Sequence, residues 1–88
     1  MQPVVIYTTT YCGYCQRAKA WFTAHGVSYR EVDVTDDDAE RASLVERSGG
    51  QRTVPQIFVG DVHVGGFSDL VALDAAGKFT PLLEASGA

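Results

Sequence analysis

The chain has 88 residues, which predicts a single domain spanning residues 1–88, and 45% of them are hydrophobic, enough for a modest core. Eleven acidic against seven basic residues give a formal net charge of −4, with no basic run, so we expect no nucleic-acid partner. No apolar stretch approaches the length of a transmembrane helix, so we expect no membrane partner. The first apolar run is short and follows Pro3, which favours a cytoplasmic protein without a secretory signal.

The spacing of apolar residues and the positions of glycines predict alternating strands and helices. In chain order we expect a strand at 3–7, a helix at 13–25, a strand at 27–34, a helix at 35–48, strands at 56–59 and 62–64, a helix capped by Ser68, and a short helix or turn at 79–84. The first two strands should be parallel, and Gly60-Asp61 should be the turn of an antiparallel hairpin. The predicted fold is α/β, a mixed four-stranded sheet flanked by helices in the order β-α-β-α-β-β-α.

Both cysteines lie in the segment Cys12-Gly13-Tyr14-Cys15, between the first predicted strand and the first predicted helix. The start of a helix offers unpaired backbone N–H groups and the positive end of the helix dipole. This setting favours the charged thiolate form of the first cysteine, which makes its sulfur a nucleophile. The second sulfur, one helical turn further along, is placed to attack a mixed disulfide formed on the first.

Two other roles for the cysteine pair are weaker. A structural disulfide that closes so short a loop would add little stability to a chain with its own core. A zinc site needs a second pair of ligands, and the two histidines, His25 and His63, are far apart in the sequence. Thiol transfer is therefore the favoured role of the pair, and no metal site is expected.

Three motifs follow one another in the sequence: Cys12-Gly13-Tyr14-Cys15 after a strand, Thr53-Val54-Pro55 before a strand, and the segment 65–70, Gly-Gly-Phe-Ser-Asp-Leu. In this combination the chain resembles the glutaredoxins, of thioredoxin-like fold, and its ending resembles the dithiol, bacterial-type members. The resemblance implies a glutathione–disulfide oxidoreductase. Such an enzyme reduces protein–glutathione mixed disulfides through Cys12 alone and protein disulfides through Cys12 and Cys15.

The resemblance also implies the ligands and partners of the chain. Glutathione would be the cosubstrate, no cofactor would be tightly bound, the chain would be a monomer, and its partners would be glutathionylated or disulfide-containing proteins. A thioredoxin-like protein reduced by a flavoenzyme is a competing interpretation, which the intact second and third motifs disfavour.

The resemblance places a glutathione groove beside Cys12. It assigns to glutathione the residues Tyr14, Arg41, Thr53, Val54, Pro55, Gly66, Phe67, Ser68 and Asp69. Pro55 would follow a cis peptide bond, Asp69 would bind the γ-glutamyl ammonium, and Arg41, or in its place Arg52, would bind the glycine carboxylate. Each assignment has a purely structural alternative: Asp69 as a first-turn carboxylate, Ser68 as a helix cap, and Arg41 as part of a solvated helix face.

Two positions depart from the family pattern. Gly13 occupies a position where proline is usual. Some relatives with the same Cys-Gly-Tyr-Cys motif hold a [2Fe–2S] cluster between two subunits. A cluster-binding carrier or sensor, with Cys12 as the ligand in a dimer, is therefore the alternative function. Thr9 stands where lysine is common, so helix N–H groups rather than a neighbouring cation should stabilise the Cys12 thiolate. We expect Thr9→Lys to speed alkylation of Cys12 below neutral pH.

Overall fold

Four strands and four helices form residues 2–84, the part of the chain that the computed structural model describes. They are β1 (Val4–Thr8), α1 (Gly13–Ala24), β2 (Arg30–Asp33), α2 (Asp38–Arg47), β3 (Gln56–Val59), β4 (Val62–Gly65), α3 (Phe67–Ala75) and α4 (Phe79–Glu84). The ends of the predicted domain, residue 1 and residues 85–88, lie outside the described residues. The order of elements is the predicted one, and α4 is a helix rather than a turn.

The strands form one mixed sheet in the order β2-β1-β3-β4. β1 is parallel to β2 and β3 is antiparallel to β4, both as the sequence predicts. β1 and β3 also pair, in antiparallel orientation. Gly60, with a φ of +58°, lies in the turn between β3 and β4 and places His63 opposite Phe58. Since β4 is the last strand in the order, it is an edge strand and pairs with β3 alone.

Buried side chains cover both faces of the sheet, because successive residues of a strand point to opposite sides. Ile6 belongs to a core formed with α1, α3 and α4, whereas Tyr7 packs in a second core with Leu44 of α2. All four residues of β3 are buried, so β3 is the central support of the fold. No helix among residues 2–84 is long and apolar enough to cross a membrane.

The second strand begins later than its alternating pattern predicts, at Arg30 instead of residue 27. Gly26, at a φ of +68°, ends α1 as expected, and the next N–H group, that of Val27, donates to the Phe22 carbonyl at 2.8 Å. This hydrogen bond across the helix end holds Val27 against α1 and away from the sheet. His25, as predicted, occupies the C-terminal end of that helix.

The acidic segment after β2 caps α2, as its composition predicts. Asp37 is the N-cap residue, and its carboxylate accepts a hydrogen bond from the Glu40 N–H at 3.0 Å. Carboxylates in the first helical turn also suit the positive end of the helix dipole. The run therefore has a structural role at the start of α2.

Candidate functional site

Cys12 is the N-cap residue of α1, directly after the loop that leaves β1. Its backbone is extended, with φ −97° and ψ 113°, and its sulfur accepts a hydrogen bond from the Cys15 N–H at 3.2 Å. The same sulfur lies 3.6 Å from the Val54 carbonyl oxygen, in the segment before β3. A half-buried sulfur thus occupies the junction that the sequence predicts, between a helix start and a second loop.

Cys15 differs from Cys12 in burial. Its side chain is fully buried, and burial raises the pKa of its thiol to about 12, with the hydrogen bond to Cys12 as a second cause. Cys15 therefore stays protonated at physiological pH, whereas the Cys12 sulfur is the one that an entering disulfide can reach. This difference favours Cys12 as the attacking sulfur.

A cavity of about 480 Å³ opens beside Cys12, between the loop before β3, the strand β4 and the start of α3. Eight of the nine residues that the resemblance assigns to glutathione line it: Tyr14, Thr53, Val54, Pro55, Gly66, Phe67, Ser68 and Asp69. Sequence reasoning did not identify five further lining residues: Gln51, Gln56, His63, Val64 and Gly65. The three motifs, distant in sequence, therefore form one cavity.

The loop at the cavity wall presents backbone groups. The peptide bond between Val54 and Pro55 is cis, as the resemblance implies. The Val54 carbonyl oxygen is near the Cys12 sulfur, and among residues 2–84 no acceptor binds the Val54 N–H. This wall therefore offers a donor and an acceptor from one residue to an extended ligand.

The start of α3 lies on the opposite side of the cavity, and it is not capped by Ser68. The helix begins at Phe67, and Gly66 is the N-cap residue, so the predicted cap is wrong by two positions. The Asp69 carboxylate reaches back and accepts a hydrogen bond from the Gly66 N–H at 2.9 Å, which satisfies the helix end without a serine. Ser68 instead lies in the first turn of the helix, at the cavity.

Gly65 is the residue that lets the Asp69 carboxylate come this close. Its φ is +112°, and a Cβ atom added there would lie 2.5 Å from the Asp69 Oδ2 atom. A side chain at this position would therefore strain the backbone and displace the carboxylate.

Neither of the predicted cations lines the cavity. Arg41 and Arg52 share a separate depression beside α2, where Arg41 donates from Nη1 to the Arg52 carbonyl at 3.4 Å. Gln51, the residue before Arg52, does line the cavity. The structure thus does not bring Arg41 together with the other eight assigned residues.

Two positions around Cys12 differ in the space that surrounds them. Thr9 is 2% exposed, and within residues 2–84 its hydroxyl has no hydrogen-bond partner. A lysine there would have to run its stem out to the surface before its ammonium met solvent. At Gly13, a Cβ atom added to the backbone would meet no atom within 4 Å, so the space around this residue is open.

An accessible thiol at a helix start, a buried thiol one turn away and an adjacent cavity define a thiol–disulfide oxidoreductase. The mixed sheet with helices on both faces is the thioredoxin-like fold. The Glutaredoxin family profile matches residues 4–64 of the chain. The chain belongs to the glutaredoxin family, and it is a glutathione-dependent thiol–disulfide oxidoreductase.

Relatives of this family match nearly the whole chain. Glutaredoxin 3 of Escherichia coli K12 is 48% identical over 84 residues, covering 96% of this chain and 100% of its own length. A glutaredoxin of Pseudomonas aeruginosa is 49% identical over 85 residues, covering 97% and 100%. A crystal structure of a buckwheat glutaredoxin–glutathione complex superposes with a TM-score of 0.83 at 38% identity, covering 93% of this chain and 76% of that one.

The cluster-binding alternative gains no support from these comparisons.

Proposed function

We propose that the cavity binds glutathione and that the Cys12 sulfur is the nucleophile of thiol–disulfide exchange. The observation that carries the proposal is the position of Cys12 Sγ, which caps α1 and lies 3.6 Å from the Val54 carbonyl at the cavity wall. Cys15 is fully buried behind it, so an entering disulfide meets Cys12 first. The buckwheat relative, solved as a complex with glutathione, adds support.

The backbone of glutathione would lie along the loop before β3. The Val54 N–H and carbonyl would pair with the tripeptide as a neighbouring strand does, with Thr53 and Pro55 beside it. Such pairing would fix the orientation of glutathione and bring its sulfur to the end of the cavity beside Tyr14 and Cys12. Tyr14 is 60% exposed, so its ring is free to cover the sulfur of a bound ligand.

The γ-glutamyl end would meet the start of α3. First-turn N–H groups, from Phe67 and Ser68, are suited to a carboxylate, and the helix dipole favours negative charge at the same point. Asp69 uses one carboxylate oxygen for the Gly66 N–H, which leaves the other to accept from the ligand ammonium. One short segment would thereby recognise both charges of the γ-glutamyl group.

The first reaction needs only Cys12. Its thiolate attacks the glutathione sulfur of a protein–glutathione mixed disulfide, a new sulfur–sulfur bond forms, and the protein thiolate leaves and takes up a proton. A second glutathione thiolate then attacks the glutathione sulfur on Cys12, which releases oxidised glutathione and regenerates the Cys12 thiolate. The target protein thus leaves with a reduced thiol, and the two glutathione molecules leave joined by the disulfide bond.

The second reaction also uses Cys15. Cys12 attacks a protein disulfide, and Cys15 then attacks Cys12 to release the reduced protein and leave a Cys12–Cys15 disulfide. The hydrogen bond and the charge of Cys12 are among the causes that raise the pKa of Cys15. Both disappear when Cys12 enters a mixed disulfide, so we expect the pKa of Cys15 to fall at the stage where its thiolate is needed.

The test is a steady-state assay with a glutathionylated peptide, comparing the wild type with two serine variants. Cys12→Ser should abolish activity, because the oxygen of serine forms no disulfide. Cys15→Ser should retain deglutathionylation and lose only the reduction of protein disulfides. Activity in the Cys12→Ser protein would show that the nucleophile is assigned wrongly.

Glutathionylated and disulfide-containing proteins are the partners that this chemistry requires, and a monomer suffices, since both sulfurs and the cavity belong to one chain. The reaction consumes reduced glutathione, so we propose a reducing compartment, the cytoplasm, as its location.

A further inference from the structure

His63 is a cavity residue to which the sequence motifs assign no role. It lies on the edge strand β4 and is exposed, yet its ring is held at two points. Its Nε2 atom is 2.6 Å from the Gln56 Oε1 atom, and its ring stacks on Phe58 with centroids 4.9 Å apart and planes 26° from parallel. An exposed histidine fixed in this way presents a defined hydrogen-bonding edge to Gln56.

The hydrogen bond continues from Gln56 into the loop that faces glutathione. The Gln56 side chain is 5% exposed, and its Nε2 donates to the Thr53 hydroxyl oxygen at 3.2 Å. Histidine, glutamine and threonine side chains all line the cavity. They form a chain of two hydrogen bonds that ends at a residue in direct reach of a ligand.

The orientation of the Gln56 amide fixes which partner donates in each of the two hydrogen bonds, because its oxygen accepts and its NH₂ group donates. When His63 donates from Nε2 to the amide oxygen, the amide NH₂ faces Thr53. The Thr53 oxygen then accepts a hydrogen bond, and its own hydrogen is left for another acceptor. If His63 were lost, the amide could turn over and accept from Thr53, which would withdraw that hydrogen from the cavity.

We propose that His63 is a positioning residue for glutathione, acting through Gln56 to hold the Thr53 hydroxyl as a hydrogen-bond donor toward the ligand. Glutathione carries two carboxylates and two amide carbonyls, so the cavity needs donors more than acceptors. The proposal rests on the proposed function, since it assumes that this cavity is the glutathione site. It assigns part of the affinity to a residue that does not itself need to touch the ligand.

The test measures binding of S-methylglutathione by calorimetry to the Cys12→Ser protein, which cannot react. His63→Phe keeps a ring to stack on Phe58 but removes the N–H donor, and it should raise the dissociation constant about five-fold, the typical effect of one neutral hydrogen bond. In a Thr53→Val background the same substitution should have no further effect, because the end of the relay is already absent. Thr53 is exposed, so its replacement should leave the fold intact.

A matched control is available in the other histidine. His25 also stacks on an aromatic ring, that of Trp21 at 3.7 Å, and also has a hydrogen-bonded ring nitrogen, but it lies at the end of α1 in a separate depression. His25→Phe should leave the dissociation constant unchanged. With both cysteines present, His63→Phe should raise KM for glutathione about five-fold and leave kcat unchanged.

The outcomes distinguish a failure of the proposed function from a failure of the relay through His63. If the Cys12→Ser protein does not bind S-methylglutathione, the proposed function is overturned. If it binds, but His63→Phe binds equally well, only the relay is overturned. An equal five-fold loss in the Thr53→Val background would likewise show that His63 does not act through Thr53.

Discussion

The two helices that begin beside the cavity are capped in opposite ways. In α1 the side chain of the N-cap residue, Cys12, accepts from the N–H of Cys15 three positions later. In α3 the side chain of the third helical residue, Asp69, accepts from the N–H of the N-cap residue, Gly66. These two hydrogen bonds are the two halves of a capping box, and each helix uses one of them.

The cap of α1 takes part in the proposed reaction and changes during it, whereas the cap of α3 is permanent. The acceptor in α1 is the proposed attacking sulfur, so its charge and its bonding change in every catalytic cycle. α1 tolerates this because Ala18 and Phe22 are fully buried in the core. α3 is shorter and buries only Leu70 among its residues, so its start depends more on the Asp69 carboxylate. In the proposed mechanism, ligand recognition therefore falls at the permanent cap, that of α3, and chemistry at the changing cap, that of α1.

The largest expected effect breaks the permanent cap. Gly65→Ala puts a side chain at a φ of +112° and against the Asp69 carboxylate, so it should lower the free energy of unfolding by about 3 kcal/mol. Urea denaturation measures the loss. Gly77→Ala is the matched control, because Gly77 also has a positive φ, +72°, but no atom within 4 Å of its Cβ position. It should cost only about 1 kcal/mol, and an equal loss in both variants would show that contact with Asp69 is unimportant.

The next effect separates the two roles of Asp69. Asp69→Asn keeps an oxygen for the Gly66 N–H but removes the charge that would bind the ligand ammonium. We expect KM for glutathione to rise about ten-fold, while the free energy of unfolding falls by less than about 1 kcal/mol. Asp69→Ala should lose both affinity and stability. If Asp69→Asn lowered stability as much as Asp69→Ala and left KM unchanged, Asp69 would be a cap and nothing more.

The sequence predicts the order of elements because this order depends on local patterns, whereas the ligand residues of the cavity are assigned by the resemblance to the glutaredoxins. The hairpin turn at Gly60 fixes how β3 and β4 pair, and the three motifs lie where the chain leaves or enters an element. Eight of the nine predicted ligand residues therefore meet at one cavity. Arg41 is the exception, since the way α2 packs against the sheet, which no local pattern specifies, decides the direction of its side chain.

The cap of α3 is mispredicted because two local signals compete. At the start of α3, serine is a stronger N-cap than glycine, but an acidic residue three positions after Gly66 is the signal that would have selected Gly66. The relay through His63 depends on the pairing of His63 with Phe58 across the hairpin. That pairing follows from the turn and is predictable from the sequence, whereas the hydrogen bond between His63 and Gln56 depends on side-chain conformation.

A smaller effect is expected at Gly13, the residue that follows Cys12 at the cap of α1. Gly13 is the first residue of α1, where proline fits the helix, and the extended backbone of Cys12 suits a residue before proline. Gly13→Pro should raise the free energy of unfolding by about 0.7 kcal/mol, mainly by restricting the unfolded chain. Gly13→Ala, the control, keeps the backbone N–H that proline removes. If Gly13→Pro alone slows alkylation of Cys12, that N–H helps to stabilise the thiolate; equal rates would exclude such a role.

The smallest effect concerns what holds α1 while its cap changes. Glu31 of β2 accepts from the Thr8 hydroxyl at 2.6 Å and from Lys19 of α1 at 2.9 Å, and these bonds, the hydroxyl first, lower the pKa of its carboxyl from 4.5. A lowered pKa means that the carboxylate stabilises the fold above about pH 4.5 and that this contribution disappears as pH falls through the folded value. The pair is partly exposed, so Glu31→Gln should cost only about 0.5 kcal/mol at pH 7. Urea denaturation should show that wild type and variant converge as the pH falls well below 4.5, and a difference that does not change with pH would mean that the charge of Glu31 does not anchor α1.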